Sequence, residues 1–326
     1  MKKALRILLY VVMVLVLVIG GGIAYITIAL PNVGPAPEMT VEITEERVKR
    51  GEYLAWHVLS CMECHAVRDF TKFAGPPIPA TIGAGGERFD HSIGLPGVFI
   101  SPNITPHGIG EWTDGELFRL ITSGVKKDGN PIFPIMPYPN YGKMDPEDIN
   151  SVIAYLRTLD PIVSDHPKSK ADFPLNLIMR TIPEKPNLRP MPSKSDAVAY
   201  GMYLVNAAAG ADCHTKYEGG NMIGEPLAGG REFIMHDGSI LRSSNITPHE
   251  TGLKNWDREM FVTKFKGYQD SIYSPPPVAP GEFQTIMPWL MYADMTEEDL
   301  EAIYTYLMSV EPVENQVERF ESALDK

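Results

Sequence analysis

The chain has 326 residues, more than one ordinary hydrophobic core holds, which predicts two domains. Its composition, 44% hydrophobic and 21% charged, is typical of a globular protein and excludes a disordered or collagen-like chain. Acidic residues outnumber basic ones by 41 to 29, so nucleic acid is not expected as a partner.

The first element is an uncharged apolar run from Ile7 to Leu30, preceded by three cations. A helix of this length is about 36 Å long, enough to cross a hydrocarbon core of about 30 Å. The cations place the N-terminus in the cytoplasm and the remainder of the chain beyond the membrane. We predict a retained anchor; a cleaved signal peptide is the alternative, although its apolar region usually spans only about 7–15 residues.

An internal repeat organises the rest of the chain. The stretch Ser-Pro-Asn-Ile-Thr-Pro-His at 101–107 recurs as Ser-Ser-Asn-Ile-Thr-Pro-His at 243–249. Both copies also contain, in the same order, Gly-x-Tyr-Leu (51–54 and 201–204), Cys-His (64–65 and 213–214), a tryptophan (Trp112 and Trp256) and Ile-Met-Pro (135–137 and 286–288). These landmarks indicate a tandem duplication, and we refer to the two copies as the first and second repeats.

The helices of each repeat have clear start signals. Asp145 and Thr296 are predicted N-caps, each followed by acidic residues and by apolar residues at helical spacing. Thr44 similarly starts the helix that leads into the first Cys-His pair. No alternating strand pattern stands out, so we expect mainly α-helical units with long loops. Seven prolines between 161 and 195 predict a semi-extended linker.

Residues 61–65, Cys-Met-Glu-Cys-His, have the Cys-x-x-Cys-His pattern of c-type haem attachment. Two thiols about one helical turn apart can bond to the two vinyl groups of one macrocycle, and the adjacent imidazole reaches the iron. We therefore predict covalent haem on Cys61 and Cys64, with His65 as an axial ligand. A zinc half-site or a redox dithiol is the alternative, but zinc needs further ligands and a redox motif needs a βαβ context.

Met136 and Met287 are the candidate sixth ligands, because each lies between an isoleucine and a proline at the same place in the two repeats. A methionine opposite a histidine raises the haem potential, as in cytochromes c. Met144, Met291 and Met295 are the nearest rivals, and the comparison of the repeats assigns none of them a counterpart.

The second motif, Gly-Ala-Asp-Cys-His at 210–214, lacks the first cysteine. In one interpretation Cys213 alone holds a second haem, with His214 and Met287 as iron ligands. In the other, this repeat has lost its haem and survives as a structural lobe. We favour bound haem because the ligand positions persist.

His107 and His249 occupy matching loops and could contact haem propionates, although surface histidines are more often solvated. Trp112 and Trp256 are expected to close the haem crevice. No role is assigned to the histidines without a counterpart, which are His57, His91, His166 and His236.

Together these motifs resemble the cytochrome c subunits of bacterial membrane-bound alcohol, gluconate and fructose dehydrogenases, over residues 45–163 and 196–313. The resemblance implies a mainly α fold, with an N-terminal transmembrane helix followed by two tandem class I cytochrome c domains. It implies the bacterial inner membrane, with the haem domains on the periplasmic side. The predicted segments are an anchor (1–31), a linker (32–43), domain 1 (44–163), a Pro-rich linker (164–195), domain 2 (196–315) and a tail (316–326).

The expected function is electron transfer, because haem with both axial positions filled has one-electron exchange as its chemistry. The expected partners are the membrane and redox proteins: a dehydrogenase, a quinol-oxidising complex or a terminal oxidase. An acidic surface steers such a protein toward basic docking faces. The alternatives are a dihaem peroxidase-like enzyme, a haem-based sensor, and a one-haem carrier with an empty second domain.

Overall fold

A computed structural model of the chain describes residues 2–325, which are mostly helical. The helices are α1 (Lys2–Ala29), α2 (Glu45–Tyr53), α3 (Cys61–Cys64), α4 (Pro106–Ile109), α5 (Asp114–Ser123), α6 (Tyr138–Tyr141), α7 (Pro146–Thr158), α8 (Leu175–Ile178), α9 (Ala197–Ala207), α10 (Gly210–Cys213), α11 (Arg258–Lys266), α12 (Trp289–Tyr292) and α13 (Glu297–Leu307). A π-helical turn, Leu54–Val58, continues α2. Four 3-10 turns lie at Pro79–Thr81, His91–Ile93, Met179–Thr181 and Ala323–Asp325.

The predicted helix starts are confirmed. The side chains of Thr44, Asp145 and Thr296 each accept a hydrogen bond from a backbone N–H in the first turn of α2, α7 and α13 respectively. The apolar stripes of α7 and α13 are fully buried, including Ile149 and Leu300. Polar caps and apolar periodicity are local signals, which explains why they predict these helices well.

In each repeat the closing helix packs against the helix that precedes the Cys-His motif. Helix α2 lies on α7, and α9 lies on α13. Gly51 in α2 and Gly201 in α9 permit this close approach, because a Cβ at either position would overlap a backbone carbonyl oxygen of the facing helix. One continuous buried core joins the two repeats.

Short strands supplement the helices, although the sequence did not predict them. They are β1 (Arg88–Phe89), β2 (Gly97–Ile100), β3 (Lys170–Ala171), β4 (Tyr217–Glu218), β5 (Asn221–Met222), β6 (Glu232–Ile234), β7 (Ile240–Arg242) and β8 (Phe320–Glu321). All pairs are antiparallel, in the orders β1-β2-β3, β4-β5 and β6-β7-β8. Strands of two to four residues are too short to show alternation. Through β3, the predicted Pro-rich linker packs back onto the first repeat.

Helix α1 is exposed along nearly its whole length. Within residues 2–325 it is the one helix long and apolar enough to cross a membrane, with a mean hydropathy of 2.8 in an 18-residue window of Lys3–Ala29. A membrane anchor and a signal sequence share these properties. Just after the helix, the Leu30 carbonyl accepts a hydrogen bond of 2.7 Å from the Arg180 guanidinium, which ties the end of α1 to the body of the protein.

Candidate functional site

The two Cys-His motifs have the same backbone conformation. Helix α3 begins at Cys61 and ends at Cys64, so the two thiols lie one turn apart. It follows Ser60, whose φ of 52° is in the left-handed region; the residue before α10 is also left-handed, with a φ of 53°. Gly210 therefore occupies the place of Cys61, and Cys213 occupies the place of Cys64.

The histidines of both motifs are held in the same way. The Nδ1 atom of His65 lies 2.8 Å from the carbonyl oxygen of Pro102, and that of His214 lies 2.8 Å from the carbonyl oxygen of Ser244. A backbone carbonyl can only accept, so each Nδ1 carries the proton and each Nε2 keeps its lone pair. Burial lowers the pKa of both imidazoles, which favours the neutral form that binds metal ions. Both rings are thus oriented as ligands.

The Asn-Ile-Thr-Pro repeat explains how the accepting carbonyls are positioned. In the first repeat, Asn103 Oδ1 accepts hydrogen bonds from the backbone N–H and the hydroxyl of Thr105, while its amide donates to the Ile162 carbonyl at 2.7 Å. Asn245 makes the same bonds to Thr247 and to the carbonyl of Val313. Each asparagine thereby ties its loop to the segment after the closing helix, one residue from the carbonyl that holds the histidine.

The thiols of the first motif lie deep in the protein but are not sealed off. Burial raises the pKa of Cys61 and Cys64 to about 12, with smaller contributions from neighbouring ionisable groups. None of the three cysteines is in a disulfide bond, and each keeps some accessible surface. Reduced thiols beside a neutral imidazole, all three partly accessible, fit covalent attachment and iron ligation.

Residues 2–325 offer no comparable ligand set for zinc. Among residues 2–325, no group of three or more His, Cys, Asp or Glu side chains is placed to hold a metal ion.

The buried hydroxyl of Tyr138, two residues after Met136, has no hydrogen-bond partner within the protein. Buried hydroxyls normally have one, which a cofactor carboxylate or a water molecule can supply.

The candidate methionines occupy matching turns. The N–H of Tyr138 donates to the Met136 carbonyl at 2.8 Å, and that of Trp289 donates to the Met287 carbonyl at 2.7 Å. Both methionines are half-buried at the edge of the core.

The prediction that the rival methionines have no counterpart is wrong for two of them. Met144 and Met295 do have equivalent positions, because each immediately precedes the N-cap of its closing helix. Their side chains are 0% and 1% exposed and belong to the core. Met136 and Met287 keep the accessible surface that a ligand to a bound group requires.

The repeats contact each other through reciprocal hydrogen bonds that the sequence did not predict. The hydroxyl of Tyr53 in α2 donates to Asp299 at 2.5 Å, and the hydroxyl of Tyr203 in α9 donates to Asp148 at 2.5 Å. The two tyrosines come from the shared Gly-x-Tyr-Leu sequence, and the two aspartates lie in the first turns of the closing helices. The interface is therefore approximately two-fold symmetric.

His57 belongs to this interface, although sequence analysis assigned it no role. Its Nδ1 lies 3.0 Å from the Met291 carbonyl oxygen, while the Asn206 amide donates to the Asn140 carbonyl at 3.0 Å. The π-helical turn adds one residue to the first repeat, so His57 and Asn206 become equivalent only when the repeats are aligned with a one-residue gap. Such an alignment is the signal that could have identified it.

A further bond links the interface to the second motif. The side-chain amide of Asn140, in α6, donates at 2.6 Å to the carboxylate of Asp212, which immediately precedes Cys213. Helix α6 begins two residues after Met136. The loop that carries Met136 in the first repeat and the cysteine motif of the second are thus joined by one side-chain contact.

We expect Asp299→Ala to weaken the contact between the repeats. The hydroxyls of Tyr53 and Tyr200 both donate to this carboxylate, and burial together with its charge raises the pKa of both tyrosines. Each buried hydroxyl left without an acceptor costs about 1–3 kcal/mol, so the denaturation midpoint should fall clearly. Denaturant unfolding measures the effect. Glu297→Ala, in the same first turn but exposed, is the matched control and should cost about 0.3–1 kcal/mol; equal losses would contradict the assignment.

The remaining predicted residues have protein partners. His107 lies 3.5 Å from the carboxylate of Asp165, and His249 Nδ1 lies 3.0 Å from the hydroxyl of Thr251. The carbonyl of Trp112 accepts from Arg157, and the carbonyl of Trp256 accepts from Tyr304 at 2.8 Å. The roles expected for these residues beside a haem stay predictions.

No family model matches the chain. The cytochrome c subunit of the alcohol dehydrogenase (quinone) of Gluconobacter oxydans strain 621H is 31% identical over 238 residues, covering 68% of this chain and 47% of that protein. The fructose dehydrogenase cytochrome subunit of Gluconobacter japonicus is 29% identical over 283 residues, covering 81% and 52% respectively. A diheme cytochrome c-type protein of Cereibacter sphaeroides is 34% identical over 166 residues, covering 50% and 52%.

The resemblance predicted from the motifs is confirmed. Relatives named as cytochrome c subunits of alcohol, fructose and gluconate dehydrogenases, and one named as a diheme cytochrome c, match at 28–34% identity over much of the chain. The chain spans about half the length of these curated relatives. The relatives support electron transfer by a cytochrome as the general function.

Proposed function

We propose that the chain is a membrane-tethered dihaem c-type cytochrome that transfers electrons from a respiratory or dehydrogenase donor to a downstream acceptor. Its two class I cytochrome c domains span 44–163 and 196–315, behind the anchor of 1–31. The observation that carries the proposal is the matched geometry of His65 and His214, each with Nδ1 bonded to a backbone carbonyl and Nε2 left to bind iron. Haem supplies one-electron exchange when bound.

The chain's residues divide the work of holding the cofactor. Cys61 and Cys64 would hold the haem of the first domain through two thioether bonds, and Cys213 would hold that of the second through one. His65 and His214 would bind iron through Nε2, and their hydrogen-bonded Nδ1 atoms fix the ring planes. Met136 and Met287 would each supply a second protein ligand to the iron. Iron coordinated in this way would leave no position for a substrate, which separates this function from a peroxidase or a gas sensor.

The contact between the repeats suits a relay between two sites on one chain. The two cofactor-binding sites exchange electrons at a steady rate when the distance between them is fixed. The reciprocal bonds from Tyr53 and Tyr203, together with the bond from Asn140 to Asp212, hold the second motif against the first repeat. Their donors and acceptors are largely shielded from water, where such bonds are strongest.

The apolar helix and the net charge support a location at the membrane and a class of partner. The apolar helix α1 tethers the domains to the bacterial inner membrane, on its periplasmic side. The net charge of −12 steers the protein toward basic faces of its partners, so association should slow as salt rises. The relatives' names make an alcohol or fructose dehydrogenase the first donor to test, with a quinol-oxidising complex or a terminal oxidase as further partners.

We expect Met136→Ala to lower the potential of the first haem, which stays covalently bound through Cys61 and Cys64. The change removes the ligand that favours ferrous iron. A redox titration of the purified protein, followed by its visible spectrum, measures the potential.

Met144→Leu is the control, because Met144 is fully buried in the core and this substitution nearly conserves its volume. It should leave both potentials in place. An unchanged potential in Met136→Ala, or an equal shift in the control, would show that the ligand is misassigned. Peroxide turnover by the reduced wild type would favour the peroxidase alternative.

A further inference from the structure

An exposed apolar segment lies in the Pro-rich linker. We call residues 173–182 the juxtamembrane segment; it contains α8 and the 3-10 turn Met179–Thr181. Phe173 is 80% exposed and Ile178 is 49% exposed, whereas Met179, on the same short stretch, is buried. The segment therefore buries one side chain while presenting large apolar side chains outward, an arrangement that water alone does not favour.

The segment lies beside the end of α1. Helix α8 and the 3-10 turn both contact α1. Among the described side chains of α1, Ile26 alone is shielded, and it lies one turn before the helix ends. Arg180 completes the contact with a hydrogen bond of 2.7 Å to the Leu30 carbonyl and another of 2.7 Å to Asn130. The segment is thus held at the level of the last turn of α1.

This level corresponds to the bilayer surface if α1 spans the membrane. A helix of 28 residues is about 42 Å long, close to the full thickness of a bilayer with its headgroups. Its last turn therefore lies in the interface, where apolar side chains enter the boundary between headgroups and acyl chains to a depth of about 5–10 Å. Side chains fixed beside that turn reach the same layer.

The charge of the surrounding chain agrees with a lipid surface. Between residues 164 and 190, five lysines and arginines outnumber three acidic residues, in a chain whose net charge is −12. Four of these cations, Lys168, Lys170, Lys185 and Arg189, are exposed. Apolar side chains flanked by exposed cations are typical of elements that bind anionic membrane surfaces.

We propose that the juxtamembrane segment inserts into the surface of the bilayer that α1 spans, as a second membrane contact that fixes how the cofactor-binding domains face the membrane. The inference rests on the proposed anchoring by α1. A single spanning helix followed by an extended linker would leave the domains free to rotate. A second membrane contact, joined to the first repeat through the hydrogen bond from Arg180 to Asn130, restricts that rotation.

The test places a spin label at Phe173→Cys in the full-length holoprotein, reconstituted in vesicles of phosphatidylethanolamine and phosphatidylglycerol. The cysteines of the haem motifs are consumed as thioethers, so unsubstituted protein gives the labelling background. Accessibility of the label to oxygen and to a water-soluble nickel chelate reports its depth. Ile272→Cys is the matched control, because Ile272 is 72% exposed in a loop of the second repeat.

We expect the label at 173 to be several-fold less accessible to the nickel chelate than the label at 272, with the reverse order for oxygen. Equal, water-like accessibility at both positions, in protein that floats with the vesicles, overturns the juxtamembrane contact and leaves the anchor intact. Protein that does not float with the vesicles overturns the anchor and with it this inference. Protection at 173 that appears only when another protein is added shows that a protein covers the segment, which also overturns it.

Discussion

Gly51→Ala is expected to destabilise the first repeat strongly, because α2 and α7 can no longer approach each other. The added Cβ would overlap the carbonyl oxygen of Ser151 and crowd the Cβ of Tyr155 at 2.8 Å. The obstacle is a helix backbone, which cannot rotate away as a flexible side chain can. Overpacking of this kind costs about 1–3 kcal/mol and occasionally more. Denaturant unfolding of the holoprotein, followed by its helical circular dichroism, measures the loss.

The control for this prediction is Glu52→Ala, on the same helix with an exposed side chain. Both substitutions introduce alanine, so any effect of helix propensity favours stability in each case. Glu52→Ala should therefore leave the midpoint nearly unchanged, within about 0.5 kcal/mol. Gly201→Ala should reproduce the loss in the second repeat, since its Cβ would overlap the Ala302 carbonyl. A Gly51→Ala protein as stable as the control would mean that the helices are not packed at this distance.

The features that could be predicted from the sequence are those whose signals are local. Thr44, Asp145 and Thr296 cap helices because a side-chain oxygen followed by first-turn carboxylates is sufficient to start one. The Cys-x-x-Cys-His pattern requires only one helical turn to align its thiols. The internal repeat pairs His65 with His214 in the sequence. Their equivalent hydrogen bonds to backbone carbonyls could be seen only in the structure.

The interface between the repeats could not be predicted, because its partners are far apart in sequence. Tyr53 and Asp299 are 246 residues apart, and nothing near either one marks the other as its partner. His57 seemed to lack a counterpart because a π-helical turn shifts the first repeat by one residue. The equivalence of Met144 and Met295 is visible in the sequence and was overlooked. Only their burial, which the structure shows, separates these core methionines from the candidate ligands.

The second repeat is expected to carry one haem through Cys213 alone, so Cys213→Ser should remove one of two haem masses from the denatured chain. Gly210 occupies the place of Cys61, and the backbones before the two motifs agree, with φ values of 52° and 53°. The attachment turn is thus retained although its first thiol is not. Intact mass and iron content of the denatured and native protein measure the result, and the same mass shows whether residues up to Gly22 are retained. Cys61→Ser should leave both haem masses, because Cys64 remains.

The reciprocal change tests whether the missing thiol is the only difference between the two sites. A Cβ at position 210 would lie 2.8 Å from Val205 Cγ1 and 3.2 Å from the Val205 carbonyl oxygen, so this side chain must move to admit a cysteine. Gly210→Cys combined with Val205→Ala relieves the contact with Cγ1, because alanine lacks that atom. A single thioether leaves one vinyl group conjugated with the ring, and the reduced pyridine complex of wild type should therefore absorb at slightly longer wavelength than that of the double variant. One haem mass and one iron per wild-type chain would show that the second repeat is empty and that the protein carries electrons through the first repeat alone.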